Sequence, residues 1–475
     1  MTYRASSPFS SLSIAELVQG YARGDFSPVE VARASLERAQ TVQSFCNAFV
    51  LIDEGRALKM AQASEQRWLQ GKPAGLLDGV PVAVKDTTGV RGWPTRFGSL
   101  SGRRAEPAVE DSPFVERMRE HGAVFIGKTA APEFAWKGIT DSALHGVTRN
   151  PWNTAKTPGG SSGGSAVAVA TGVVPLATAA DGGGSIRIPA SFTGLYGLKP
   201  TAGLIANTPG PLGTLAVVGG VTRNVDDTAR FLQAVVAPDA RDSFAYPTQA
   251  PVLSPDDGDL RGLKIGVSAD LGFRPAEPEI ASVLADTVTH LRALGAEVES
   301  VFLRADDVQE GFETLWAVGF AEILGRLPEH EREQVEPALC DYADTAADIS
   351  GLQVQFAYRQ ARLFSARMAS FFSDCDLLLT PTVPILPFDA GLLMPAGYPG
   401  QQWWHWSPMT WPFNLSRNPA ASCPMGMSSD GLPIGIQLVG RWFDESTVLR
   451  VSRALERFRP FPLSLADRAF ESTLS

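Results

Sequence analysis

Residues 158–189 read PGGSSGGSAVAVATGVVPLATAADGGGSIRIP. Small residues fill the stretch, and it divides by period. The glycine and serine run over 159–164 predicts a loop. Ser165–Gly172 predicts a short helix of small residues, Val173–Ala179 a buried strand, and Asp181–Arg187 a second glycine loop. Two glycine loops therefore bracket one helix–strand unit, and each presents serine on nearly bare backbone.

Upstream, Val80–Val84 (VPVAV) predicts a short strand ending at Lys85-Asp86. Ser112-Pro113 opens a helix that reaches Gly122, and Ala123–Ile126 is a second apolar strand. Downstream, Leu263–Val267, a helix over Glu279–Leu294 and Glu297–Leu303 form a further βαβ unit, and Asp376–Thr380 is a buried strand. This alternation predicts an α/β fold. The expected architecture is one large domain, residues 1–475, with a mixed, mostly parallel twisted central sheet covered by helices on both faces. Residues 1–70 read as a helical segment, with capping boxes at Ser13/Glu16 and Ser27/Glu30. Residues 76–220 form the core, and 240–260 a surface connector rich in Pro and Asp. The rest of the sheet falls in 261–475, with variable helices over 305–372 and a Trp-rich loop over 385–412.

The 475 residues are 44% hydrophobic and 19% charged, enough apolar side chain for a large core. A net charge of −10 disfavours nucleic acid and anionic membranes as partners. Four scattered cysteines form no CxxC pair, which fits a reduced, cytoplasmic setting without a disulfide frame or zinc site. No segment is long and apolar enough to span a bilayer.

Three motifs compete for the chemistry. Gly122–Thr129 (GAVFIGKT) matches a phosphate-binding loop, but Ala, Val, Phe and Ile fill its variable positions and Pro132 breaks the helix that should follow. It reads as a core strand with a terminal lysine. Gly160–Gly164 (GSSGG) matches the nucleophile elbow GxSxG, yet residues 149–158 (RNPWNTAKTP) are no strand. That reading would also need His290, His330 or His405 as its base, and His290 lies on an expected helix. The third is the composite of Lys85, the loop at 159–165 and Gly182-Gly183-Gly184-Ser185. Three glycines before a serine let backbone N–H groups converge as an oxyanion hole requires, and lysine is the base candidate.

The composite resembles the amidase signature family. Residues 158–189 are similar to the signature itself, and Gly79–Asp86 to the family's lysine strand. Gly197–Thr201 (GLKPT), Leu379–Thr382 (LTPT) and Gly431–Gln437 (GLPIGIQ) match further landmarks in order, over roughly residues 10–460. The resemblance implies a Ser–Ser–Lys triad. Ser185 would be the nucleophile, and Ser161 would bridge to Lys85 across a cis Gly160–Ser161 bond. Gly182, Gly183 and Gly184, with Ser185, would donate to the oxyanion, and Ser162, Asp181 and Arg187 would brace the loops. Lysine, with a reference pKa of about 10.4, is neutral in only about one molecule in 2,500 at pH 7, so burial must depress it by several units. No metal or organic cofactor is required.

This chain departs from the family at Ala180, where a threonine is common, and at Arg417-Asn418-Pro419-Ala420, where Gly-x-Pro-Ala is frequent. Trp136, Trp404 and Trp406 are candidates for an apolar or aromatic acyl pocket. The expected reaction is hydrolysis of a small-molecule linear or cyclic carboxylic amide, outside peptides, to acid plus amine or ammonia. A homodimer is left open. The alternatives are a transamidation component resembling the A-subunit of glutamyl-tRNA amidotransferase and a catalytically silent binding protein. Ile188 (IRIP, against IRQP in the amidotransferase) favours the hydrolase.

Overall fold

A computed structural model describes residues 9–208, 210–252 and 258–461. Eleven of its strands form one sheet: β1 Phe49–Ile52, β2 Pro81–Lys85, β3 Val124–Thr129, β6 Leu176–Asp181, β7 Tyr196–Lys199, β8 Val217–Thr222, β9 Lys264–Val267, β10 Glu297–Ser300, β11 Leu377–Pro381, β12 Ala420–Met427 and β13 Pro433–Gly440. The short strands β4 Asp141–Ser142 and β5 Gly146–Val147 pair with each other. The order in the sheet is β1-β3-β2-β6-β8-β7-β12-β13-β11-β9-β10.

Helices cover both faces, and the side-chain alternation of the strands shows why. Val82 and Val84 enter one apolar cluster with Phe114 and Phe231, while Ala83 enters another with Val167 and Val42. The sheet is mixed as expected, but parallel pairing is not the majority. β2–β3, β2–β6, β9–β10 and β9–β11 are parallel, and the other six neighbouring pairs are antiparallel. One reason is the hairpin β12–β13, whose turn closes with the Ser428 N–H donating to Leu432 O at 2.7 Å.

Both expected capping boxes start helices, at Ile14–Arg23 and Pro28–Cys46. The reading of 1–70 as wholly helical needs correction, because β1 lies within it and pairs antiparallel with β3. The strand expected over Val173–Ala179 runs instead over Leu176–Asp181. Pro175 has no N–H to give a ladder, so pairing begins after it. Gly122–Thr129 does carry a strand, and Lys128 ends buried, 3.3 Å from Asp86 and 2.6 Å from Thr95 Oγ1. In the connector over 240–260, residues 253–257 lie outside the described residues. The loop over 385–412 contains one short helix, Trp403–Trp406.

The registers fix where chemistry can sit. β2 and β6 run parallel side by side, so Lys85 and Asp181 finish at the same edge. β8 starts there opposite Asp181, and β7 ends and β12 begins there through the Ala420–Lys199 pairing. Crevices beyond strand ends are where α/β sheets hold their ligands. Among the described residues, no helix is long and apolar enough to cross a membrane.

Candidate active site

The helix Gly163–Ala170 packs hard against the sheet. A β-carbon at Gly164 would lie 2.5 Å from both Ala130 N and Ala48 O, so only glycine allows the approach. That contact sets the loop before the helix over the end of β2. Lys85 and Ser161 meet there, with Nζ donating to Ser161 Oγ at 2.7 Å. Lys85 is fully buried and Ser161 is 1% exposed. The Gly160–Ser161 peptide bond is cis. Thr178 Oγ1 accepts from the Lys85 backbone N–H at 2.9 Å and ties β6 to β2 behind the lysine.

Burial brings the Lys85 ammonium down to about 7, against the opposing pull of the Asp181 charge. Asp86 is no partner of this lysine, because the alternation of the strand sends it to Lys128.

The second loop is organised by a buried ion pair. Arg187 Nε and Nη2 donate to the two carboxylate oxygens of Asp181 at 2.9 and 2.8 Å. Its remaining donors reach Thr410 O (2.7 Å), Gln437 Oε1 (2.8 Å) and Asn414 Oδ1 (2.7 Å). All five guanidinium hydrogens are therefore used. Burial pushes the Asp181 carboxyl up, but the Arg187 charge and hydrogen bonds outweigh it and hold the group at about 2.

Asp181 also accepts from two backbone N–H groups, Gly184 at 2.7 Å and Ile186 at 3.1 Å. This corrects the expectation for Gly184: its N–H is already committed to a carboxylate. Among the described residues, the N–H groups of Gly182, Gly183 and Ser185 have no such partner. Ser185 is 6% exposed, beside this loop in sequence. Ser162 braces the two loops to each other, exchanging hydrogen bonds with the carbonyl and N–H of Ala180 at 3.3 and 3.4 Å.

The tryptophans are placed differently from the sequence reading. Trp136, Trp404 and Trp406 are buried, with their indole N–H groups donating to Glu336, Glu313 and the Leu393 carbonyl. It is Trp403 that stands against the glycine loop, 2.6 Å from where a β-carbon on Gly183 would sit, with Phe312 at 3.2 Å. Trp316 approaches Gly182 in the same way at 3.1 Å. Asn414, Thr410, Thr178 and Trp316 were not identified from sequence. Only Gln437 lay in a recognisable landmark.

Known proteins resemble the chain along nearly its whole length. A family model described as Amidase matches residues 30–449. An acylamidase from Rhodococcus erythropolis is 33% identical over 463 residues, covering 95% of this chain and 96% of its own. The A-subunit of glutamyl-tRNA(Gln) amidotransferase from Chloroflexus aurantiacus is 34% identical over 494 residues, covering 94% and 96%. The crystal structure of a bacterial aryl acylamidase superposes with a TM-score of 0.89 at 30% identity, covering 96% of this chain and 97% of that one.

Proposed function

The chain belongs to the amidase signature family, whose members act on amides, and from that premise we propose that it hydrolyses a small carboxylic amide through an acyl-enzyme on Ser185. The observation that carries the reading is the 2.7 Å contact between Lys85 Nζ and Ser161 Oγ, made by a lysine whose burial brings it down to about 7.

In this reading the neutral Lys85 takes the proton of Ser161 as Ser161 takes that of Ser185, a step that needs the two hydroxyls to close up when substrate binds, since among the described residues the Ser185 hydroxyl makes no hydrogen bond. Ser185 Oγ attacks the amide carbonyl, and the N–H groups of Gly182, Gly183 and Ser185 receive the oxyanion. The same relay returns the proton to the departing amine. Water then attacks the ester, with Lys85 again as base. The Asp181–Arg187 pair touches no reacting atom and holds the loop in shape.

The pH dependence follows from Lys85. The base must be neutral, so kcat/KM is expected to climb about tenfold per pH unit below about 7 and flatten above it. Lys199 is also brought down to about 7 by burial, but its Nζ donates to Pro200 O at 2.9 Å and meets no serine. Lys199→Met should keep the acidic limb, and Lys85→Met should lose turnover altogether. A limb that moves with Lys199 and not with Lys85 would refute the assignment. Stability carries the matching sign. The folded pKa of Lys85 lies below its ordinary 10.5, so the penalty for burying it is full below pH 7 and fades as pH rises towards 10.5.

The acyl pocket is expected along 403–411, and Trp403 is its wall beside Gly183. Trp403→Ala should shift the ratio of kcat/KM values towards bulkier acyl groups by about ten-fold. Trp404→Ala should act more weakly, because its ring is held by Glu313 and Tyr342. Unchanged preference in both variants would remove the pocket from this stretch.

The equally strong likeness to the amidotransferase supports a second reading, a transamidation component that works with a partner. The isolated chain separates the two when screened against a library of anilides and aliphatic and cyclic amides. Turnover without any partner favours the hydrolase, and turnover only with a partner protein favours the alternative.

A further inference from the structure

A cavity of about 110 Å³ lies at the same sheet edge, and none of Lys85, Ser161, Asp181 or Ser185 lines it. Its wall includes Ile205, Val217 and Val218, all buried, and its exposed side carries Phe244 and Tyr246. The charged residues among its lining are Arg417 and Asp242.

Arg417 is held in an unusual way. It follows the short helix Pro412–Leu415 with φ +64°. That left-handed position after a helix ordinarily takes glycine, because a β-carbon crowds the backbone there. Its backbone is fixed on both sides, by its own N–H donating to Asn414 O and by Ala202 N–H donating to its carbonyl, each at 3.3 Å. Among the described residues, its guanidinium makes no hydrogen bond, ion pair or ring contact. A cation is thus kept on strained backbone, partly buried beside hydrocarbon, with no ion pair among the described residues. Strain retained at a cavity is a mark of use.

The surroundings select the anion. Asp242 also borders the cavity, with its oxygens taken by the backbone N–H groups of Asn207 and Phe244, each at 2.9 Å. Its charge, together with the net charge of −10, works against ligands bearing two or more negative charges. The planar fork of arginine matches a carboxylate, and the apolar wall and aromatic rim match a hydrocarbon body. We propose that this cavity binds a small organic monocarboxylate, its carboxylate on Arg417 and its hydrocarbon part between Val217 and Tyr246. The site stands apart from the proposed catalytic serine and does not require that assignment to be right.

The test is calorimetric titration of the full chain carrying Ser185→Ala with sodium benzoate and sodium hexanoate, so that neither turnover nor acylation contributes. Both carboxylates are expected to bind, with benzyl alcohol and inorganic phosphate weaker by about tenfold or more. Arg417→Gln keeps the backbone conformation and removes the charge, and it should weaken both carboxylates by about tenfold or more. Arg417→Gly should lose binding to the same extent while its thermal midpoint stays level or rises, because glycine adopts the left-handed backbone freely. No carboxylate binding at tens of millimolar overturns the proposal. So does binding that survives both Arg417 substitutions, or binding that is lost with Lys85→Met and kept without Arg417. Whether the wild type hydrolyses amides is read in a separate turnover assay, so the two assignments fail independently.

Discussion

Ser185→Ala is expected to lower amide turnover by about 10⁴-fold or more while leaving the fold intact. The size follows from the absence of a substitute. Ser161 Oγ is engaged by Lys85, and Ser162 is engaged by Ala180, so neither replaces the lost hydroxyl. The N–H groups of Gly182 and Gly183 would remain, and donors of that kind leave a residual acceleration over water of about 10³-fold. The cost in stability should be small, below about 1 kcal/mol, because among the described residues the Ser185 hydroxyl makes no hydrogen bond that the variant would break. The measurements are steady-state turnover on an amide found in the library screen, thermal unfolding, and labelling with a fluorophosphonate followed by peptide mapping. Turnover that persists in a folded variant, or a label on another serine, removes Ser185 from the nucleophile's role.

Breaking the ion pair behind the glycine loop should instead cost the fold. Arg187→Met leaves the Asp181 carboxylate buried without its ion-pair partner, a loss of about 3–5 kcal/mol by urea or thermal unfolding. The acid limb of stability should change with it. Asp181 is held at about 2 in the folded chain, below its ordinary 3.8, so its contribution is present above pH 3.8 and is lost as pH falls towards 2. In Arg187→Met the largest lowering influence is gone, Lys199 and Asn414 are left to oppose burial, and that contribution disappears at higher pH. The double variant Asp181→Leu, Arg187→Met should regain much of the stability, because neither half of the ion pair is left buried alone. It should regain little activity, because the N–H groups of Gly184 and Ile186 lose the acceptor that aims the loop. Recovery of both together would mean that the pair serves packing alone.

Local signals in the sequence carried far. Ser13/Glu16 and Ser27/Glu30 start helices because both partners of each box are within reach along the chain. Gly122–Thr129 behaves as a strand because apolar β-branched and aromatic residues fill the positions a phosphate loop would need bare. The strand β1 escaped notice for the opposite reason. Four residues between two helices show no periodicity of their own, and only the backbone of β3 makes them a strand. The mostly parallel expectation failed because parallel neighbours announce themselves through the helix between them, whereas antiparallel neighbours such as β12 and β13 need only a turn.

The order of residues alone placed a lysine at a strand end, a serine in one glycine loop and a second serine after three glycines, the pattern on which the resemblance to the amidase signature rests. Those features are local: each is a residue type in a short pattern. Folding decided which backbone amides stay free, because Asp181 claims that of Gly184. It also decided that Lys85 lies out of water, where a charged amine is disfavoured, and that Asn414, Thr410 and Gln437 come from far along the chain to saturate Arg187. Solvation and hydrogen-bond saturation depend on everything within a few ångströms in space, and adjacency along the chain does not record that.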